Sequence, residues 1–132
     1  MFADTDIIST YSRSQAIEDG TLIDITSIAR EAGFRWPVAI TAAAWADLVA
    51  WNPHNRALQD EQGRLWDVVW MAGLAIRSTA RHQQHTTRLA VGLVRVPNTV
   101  RATIPRSATF HLAVGPGDNN EPVVTLMLPG ED

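Results

Sequence analysis

The 132-residue chain has no cysteine, no lysine and a single tyrosine. Without cysteine there can be no disulfide and no thiolate metal site. Without lysine there is no Schiff-base nucleophile and no P-loop lysine, and all eleven basic residues are arginines. No apolar run approaches the ~20 residues that a spanning helix needs. The opening, MFADTDIIST, carries acids where a secretory signal has a basic stretch. These absences lead to the expectation of a cytoplasmic protein with one domain over residues 1–132. The net charge of −3 lacks the positive surplus on which sequence-independent nucleic-acid binding rests. It suits a basic surface on a partner better.

What is present is an ordinary folding composition, 45% apolar and 19% charged, which is enough to build a core and argues against disorder. The longest potential helix is residues 60–80, DEQGRLWDVVWMAGLAIRSTA. Leu65, Val69, Ala72 and Ile76 recur at helical spacing, with Trp66, Trp70 and Leu74 on the neighbouring flank. So broad an apolar surface predicts a central helix contacted from several sides. Gly63 weakens its first turn by about 1 kcal/mol relative to alanine, which places the start nearer Arg64.

Before it, residues 6–11 form a short apolar opening. Ser12 and Gln15 make a capping box, and Gly20 is placed to stop a short helix over residues 13–19. Residues 21–25 (TLIDI) read as a strand and residues 27–32 as a helical turn or two stopped by Gly33. Trp36 before Pro37 is biased to extended backbone. Thr41 is an N-cap for a helix over residues 42–51, broken by Asn52-Pro53. In the last third, residues 87–96 (TRLAVGLVRV) read as a strand. Ala108, Phe110, Leu112 and Val114 alternate with Thr109, His111 and Ala113, the clearest period-2 signal in the chain. GPGDNN at residues 115–120 is turn chemistry, and a strand over 123–128 follows. The fold class is therefore α+β in two layers: N-terminal helices around the long central helix, packed on a C-terminal antiparallel β-meander of three to four strands.

No residue pattern assembles a catalytic set. His82 and His85 form an HxxH pair with no well-spaced carboxylate, which is weak evidence for zinc. No metal, catalytic residue or cofactor is expected. The residues singled out for binding are Asp60, Glu61, Arg64, Asp67, Asp118 and Glu121. Asp60 and Arg64 stand at i,i+4 on the polar side of the central helix, where a surface salt bridge worth a few tenths of a kcal/mol is the simplest reading. Asp67, flanked by Trp66 and Val68, is expected to be partly buried and bonded to Arg13, Tyr11 or a backbone amide. Asp118 and Glu121 lie in the glycine-rich turn, whose simplest role is a hairpin needing positive φ. Most of the five tryptophans should be core, with one or two beside arginine as an interface anchor.

Four segments together carry a resemblance: YSRSQAIEDG at residues 11–20, GFRWPV at 33–38, GRLWDVVWM at 63–71, and GPGD with EPVVTLMLP across 115–129. In their order and spacing the chain resembles a family of small uncharacterised proteins carried on bacterial plasmids, integrative elements and phages. That family has no assigned activity, so the resemblance implies context and no residue roles. The context is an accessory gene of a mobile element. The function expected on this basis is a non-enzymatic protein that binds and inhibits or modulates a host or element-encoded protein. That partner could be a defence-complex subunit, as in an anti-CRISPR-like factor. Two alternatives stand beside it: a small enzyme using Asp67, Asp118, Glu121 or His111 in a cleft between helices and sheet, and nucleic-acid binding through Arg88, Arg95, Arg101 and Arg106. No membrane partner is expected, and a homodimer fits an exposed sheet edge or tryptophan patch.

Overall fold

A computed structural model describes residues 11–81 and 87–131. The expected apolar opening lies outside the described residues apart from Tyr11, as do His82 and His85. The elements run α1 (Arg13–Asp19), β1 (Leu22–Asp24), α2 (Thr26–Glu31), β2 (Val38–Thr41) and α3 (Ala42–Ala44), which continues into a π-helical turn (Trp45–Val49). They are followed by α4 (Glu61–Arg81), β3 (Arg88–Arg95), β4 (Arg106–Pro116) and β5 (Pro122–Met127). Among the described residues no helix is long and apolar enough to cross a membrane.

The five strands form one mixed sheet in the order β1-β2-β5-β4-β3. The C-terminal strands make the expected antiparallel meander, with Phe110 opposite Val91 and Leu112 opposite Leu126. The strand over residues 21–25 does join the sheet, and it does so through β2. That strand is antiparallel to β1 and parallel to β5. Residues 38–41 carry no alternation because Val38, Ala39 and Ile40 are all buried, as befits a strand covered on both faces. Sequence periodicity has nothing to detect there.

Local chemistry sets the element ends. The Ser12 side chain accepts from Gln15 N while Gln15 reaches back to the Ser12 amide, and Gly20 closes α1 with φ of 83°. The Thr41 hydroxyl accepts from Ala44 N and starts α3. α4 begins at Glu61, earlier than Gly63 suggested, because Asp60 Oδ1 accepts from Gly63 N at 2.6 Å and caps the first turn.

The core lies between the sheet and α4. Val68, Val69 and Ala72 of α4 meet Val91, Phe110, Leu112 and Leu126 of the sheet, with Ala29 of α2 and Ala32 just after it closing one side. This packing corrects two expectations. α4 is buried along one face only, and Trp66, Trp70 and Leu74 remain 36%, 44% and 43% exposed. None of the five tryptophans is core: Trp36 is exposed like Trp66 and Trp70, and Trp45 and Trp51 are half-buried. The buried positions are filled instead by valine, alanine, isoleucine, leucine and two phenylalanines.

Candidate functional site

The residues singled out for binding fall into two regions. Asp60, Glu61, Arg64 and Asp67 lie along the first half of α4, and Asp118 and Glu121 lie in the β4–β5 turn. Each proves to have a defined structural partner. Asp60 caps α4, and Glu61 Oε2 accepts from Trp51 N at 3.2 Å. The two Asp118 oxygens accept from Arg13 N at 2.8 Å and Ser14 N at 3.0 Å, which caps α1 from a distant part of the chain. Glu121 Oε1 accepts from Asn119 N inside its own turn, where Asn120 supplies the positive φ of 61°.

Arg64 overturns the surface reading. It is 1% exposed, and its guanidinium makes no ion pair with Asp60, whose carboxylate caps the helix instead. Arg64 Nε donates to Val49 O at 3.0 Å and Nη1 to Val96 O at 2.9 Å, and the Trp51 ring lies 4.7 Å from its Cζ. Val49 ends the π-helical turn and Val96 follows β3, so one side chain clamps two chain ends onto α4. Arg95, 5% exposed, packs beside it and donates through Nη2 to Arg64 O at 2.8 Å. Burial, and then the neighbouring Arg95 charge, push the Arg64 pKa down to about 10; Arg95 is lowered too, chiefly by burial. Both stay cationic at neutral pH. Among the described residues, Arg64 Nη2 and Arg95 Nε find no hydrogen-bond partner.

Asp67 is also corrected. It is 65% exposed on its side chain, is not bonded to Arg13 or Tyr11, and pairs with Arg95 Nη1 at 3.5 Å. Arg13 is engaged elsewhere, donating to Thr125 Oγ1 and Val124 O at 2.7 Å each.

Two of the several cavities adjoin these residues. The smaller of the two, about 230 Å³, is charged: Arg13, Asp24, Asp118 and Glu121 line it. Burial lowers the Arg13 pKa, and the three carboxylates partly oppose that shift. The larger, about 570 Å³, is mainly apolar and lies between α4 and the β3–β4 pair, lined by Trp70, Met71, Leu93, Val94 and Ala108 with Asp67 at its rim. Trp66 and Trp70 stack beside it with centroids 5.9 Å apart, and Arg77 lies 5.6 Å over the Trp70 ring. Leu74, Arg77 and the edge residues of β3 were not singled out from sequence. The i,i+4,i+8 spacing of Trp66, Trp70 and Leu74 was the available signal.

The enzyme alternative required its residues around one cleft. Asp118 and Glu121 share the charged cavity, Asp67 lies at the apolar one, and His111 Nδ1 accepts from Arg88 Nε at 3.0 Å. The described residues contain no group of three or more metal-ligating side chains. The arginines of the nucleic-acid alternative are also divided: Arg95 is buried, whereas Arg101 and Arg106 are exposed.

The fold and these cavities define a small α+β protein whose most distinctive surface is an aromatic stripe beside a sheet edge. The chain belongs to a family of unknown function, DUF6573, which matches it over residues 1–132. No curated protein and no solved structure matches it.

Proposed function

We propose that the protein is a non-enzymatic binding module that works by docking another polypeptide on the α4–β3 face. The observation that carries this reading is the stacked Trp66–Trp70 pair, continued by Leu74 and bordered by the 570 Å³ apolar groove. Partly exposed indoles beside arginine are the side chains that dominate protein interfaces, because they bury large area at low entropic cost. A finer version is an accessory protein of a mobile element that blocks a host protein, possible targets including a defence complex. It is supported by the sequence resemblance and the net acidity, and the fold adds no weight to it.

Affinity capture from nuclease-treated bacterial lysate, run in parallel with wild-type protein and Trp70→Ala, tests the binding reading. A stoichiometric protein partner retained by the wild type and lost by the variant supports it. A partner retained equally by both moves the site off this face, and recovery that depends on nucleic acid favours the arginine alternative. The finer version requires that expression of the protein relieve restriction or CRISPR interference in a host; no relief in any system tested would count against it.

A further inference from the structure

β3 is the last strand of the sheet on its side, and among the described residues nothing pairs with its outer edge. The direction of its backbone groups follows from the register. Val114 N donates to Thr87 O at 2.8 Å, so Thr87 and Val114 are a hydrogen-bonded pair. Such pairs alternate along an antiparallel ladder, which makes Leu89, Val91, Leu93 and Arg95 the residues whose N–H and C=O point to β4. Ala90, Gly92 and Val94 therefore turn theirs outward. Natural edges are usually guarded by lysine, proline, a bulge or an inward charge. Here the middle of the edge is alanine, glycine and valine, with Val94 66% exposed. Outward amides on small residues leave the edge open to pairing with another extended strand.

We infer that this strand is β3 of a second copy, paired antiparallel about a twofold axis at Val91. The inference rests on the reading of the α4–β3 face as a protein interface and names its partner. Outward groups must meet outward groups, so the only self-pairings allowed match residues of the same parity. Arg88 and Arg95 have opposite parity and are never set against each other in any of them. With the axis at Val91, Ala90 faces Gly92 of the other copy, Arg88 faces Val94, and Leu89 faces Leu93. Ala90, Gly92, Leu89, Leu93 and Val91 thus meet small or apolar residues, Val94 lies against the Arg88 side chain, and no like charges are opposed. The same axis explains the tryptophans. Trp70 and Met71 line the groove alongside Gly92, Leu93 and Val94, so the twofold brings the two Trp70 side chains together over the joined edges. The stripe left bare in one chain becomes the contact between two α4 helices above a continuous ten-stranded sheet, twice the five strands of one chain.

Light scattering after size exclusion should give a mass near twice the 14.5 kDa of one chain. Val94→Lys should shift it to the single-chain mass, with circular dichroism unchanged. Because the chain has no cysteine, Val91→Cys gives a site-specific second readout: the axis places residue 91 opposite its own copy, so mild oxidation should yield a disulfide-linked dimer and Gly92→Cys should not. Preferential linking through Gly92→Cys overturns the register. A dimer that survives Val94→Lys, or a wild type that is a single chain at every concentration, overturns the proposal. In the last case, if the lysate partner is still lost on Trp70→Ala, the face remains a protein interface and only the second copy is excluded.

Discussion

The two ends of the molecule use similar residues to opposite effect. At the α1–hairpin end, the carboxylates of Asp24, Asp118 and Glu121 each accept a backbone N–H. They hold turns and helix starts in place. At the α4–β3 end, the aromatic stripe, the Asp67 carboxylate and the outward amides of Ala90, Gly92 and Val94 keep most of their bonding capacity. A glycine-rich acidic loop resembles a functional site, and here it is frame. An apolar helix flank resembles core, and here it is surface. What a side chain still has available to bond is a better guide to its role than the motif that contains it.

That contrast is tested most severely at Arg64, which belongs to the α4 end and yet acts as frame. Arg64→Ala would leave Val49 O and Val96 O buried without their donors and open a cavity against Trp51, at a cost of about 3 kcal/mol in urea unfolding. Arg64→Met, which keeps most of the volume and removes the repulsion from Arg95, should lose clearly less. Equal losses in the two variants would mean that the hydrogen bonds, lost in both, hold the clamp and that packing adds little.

At Trp70 the balance is reversed. Trp70→Ala should change stability by less than about 1 kcal/mol, because the side chain is largely outside the core. The same change should weaken association through the α4–β3 face by about 2 kcal/mol, roughly thirtyfold. A variant that unfolds the protein while leaving association intact would erase the distinction between the two ends.

How much of this was legible in the sequence depends on the distance over which each interaction acts. The Ser12–Gln15 capping box, the Thr41 cap and the alternation of Ala108 to Val114 are decided within a few residues, and the structure keeps them. β2 was hidden because burial on both faces removes periodicity and because its parallel partner, β5, comes from the far end of the chain. Arg64 was misread for the same reason. Its i,i+4 spacing to Asp60 is local and visible, whereas the Val49 and Val96 carbonyls that bury it come from two other segments. Residue type assigns the tryptophans to the core, whereas the tertiary packing turns Trp66 and Trp70 to the flank of α4 that the sheet does not cover.

Asp118→Ala sharpens the comparison at the other end. It removes the acceptor for the first two amides of α1 and should cost about 1 kcal/mol, a drop of about 4 °C in thermal midpoint. Faster amide exchange confined to α1 would identify the lost cap as the cause. No change in partner capture is expected, since the α4–β3 face is untouched.

The smallest effect is expected at Asp67, which separates charge from frame on α4. Its only ion pair among the described residues is the 3.5 Å contact to Arg95, and its carboxylate is mostly in water. A pair so exposed on one side contributes little, so Asp67→Asn should cost under about 0.5 kcal/mol. Arg95 retains its bond to the Arg64 carbonyl, which holds the guanidinium in place without the carboxylate. A loss of several kcal/mol on urea unfolding of Asp67→Asn would show that Asp67 is what makes two neighbouring buried arginines tolerable. The α4 end would then depend on its acid as fully as the hairpin end depends on Asp118.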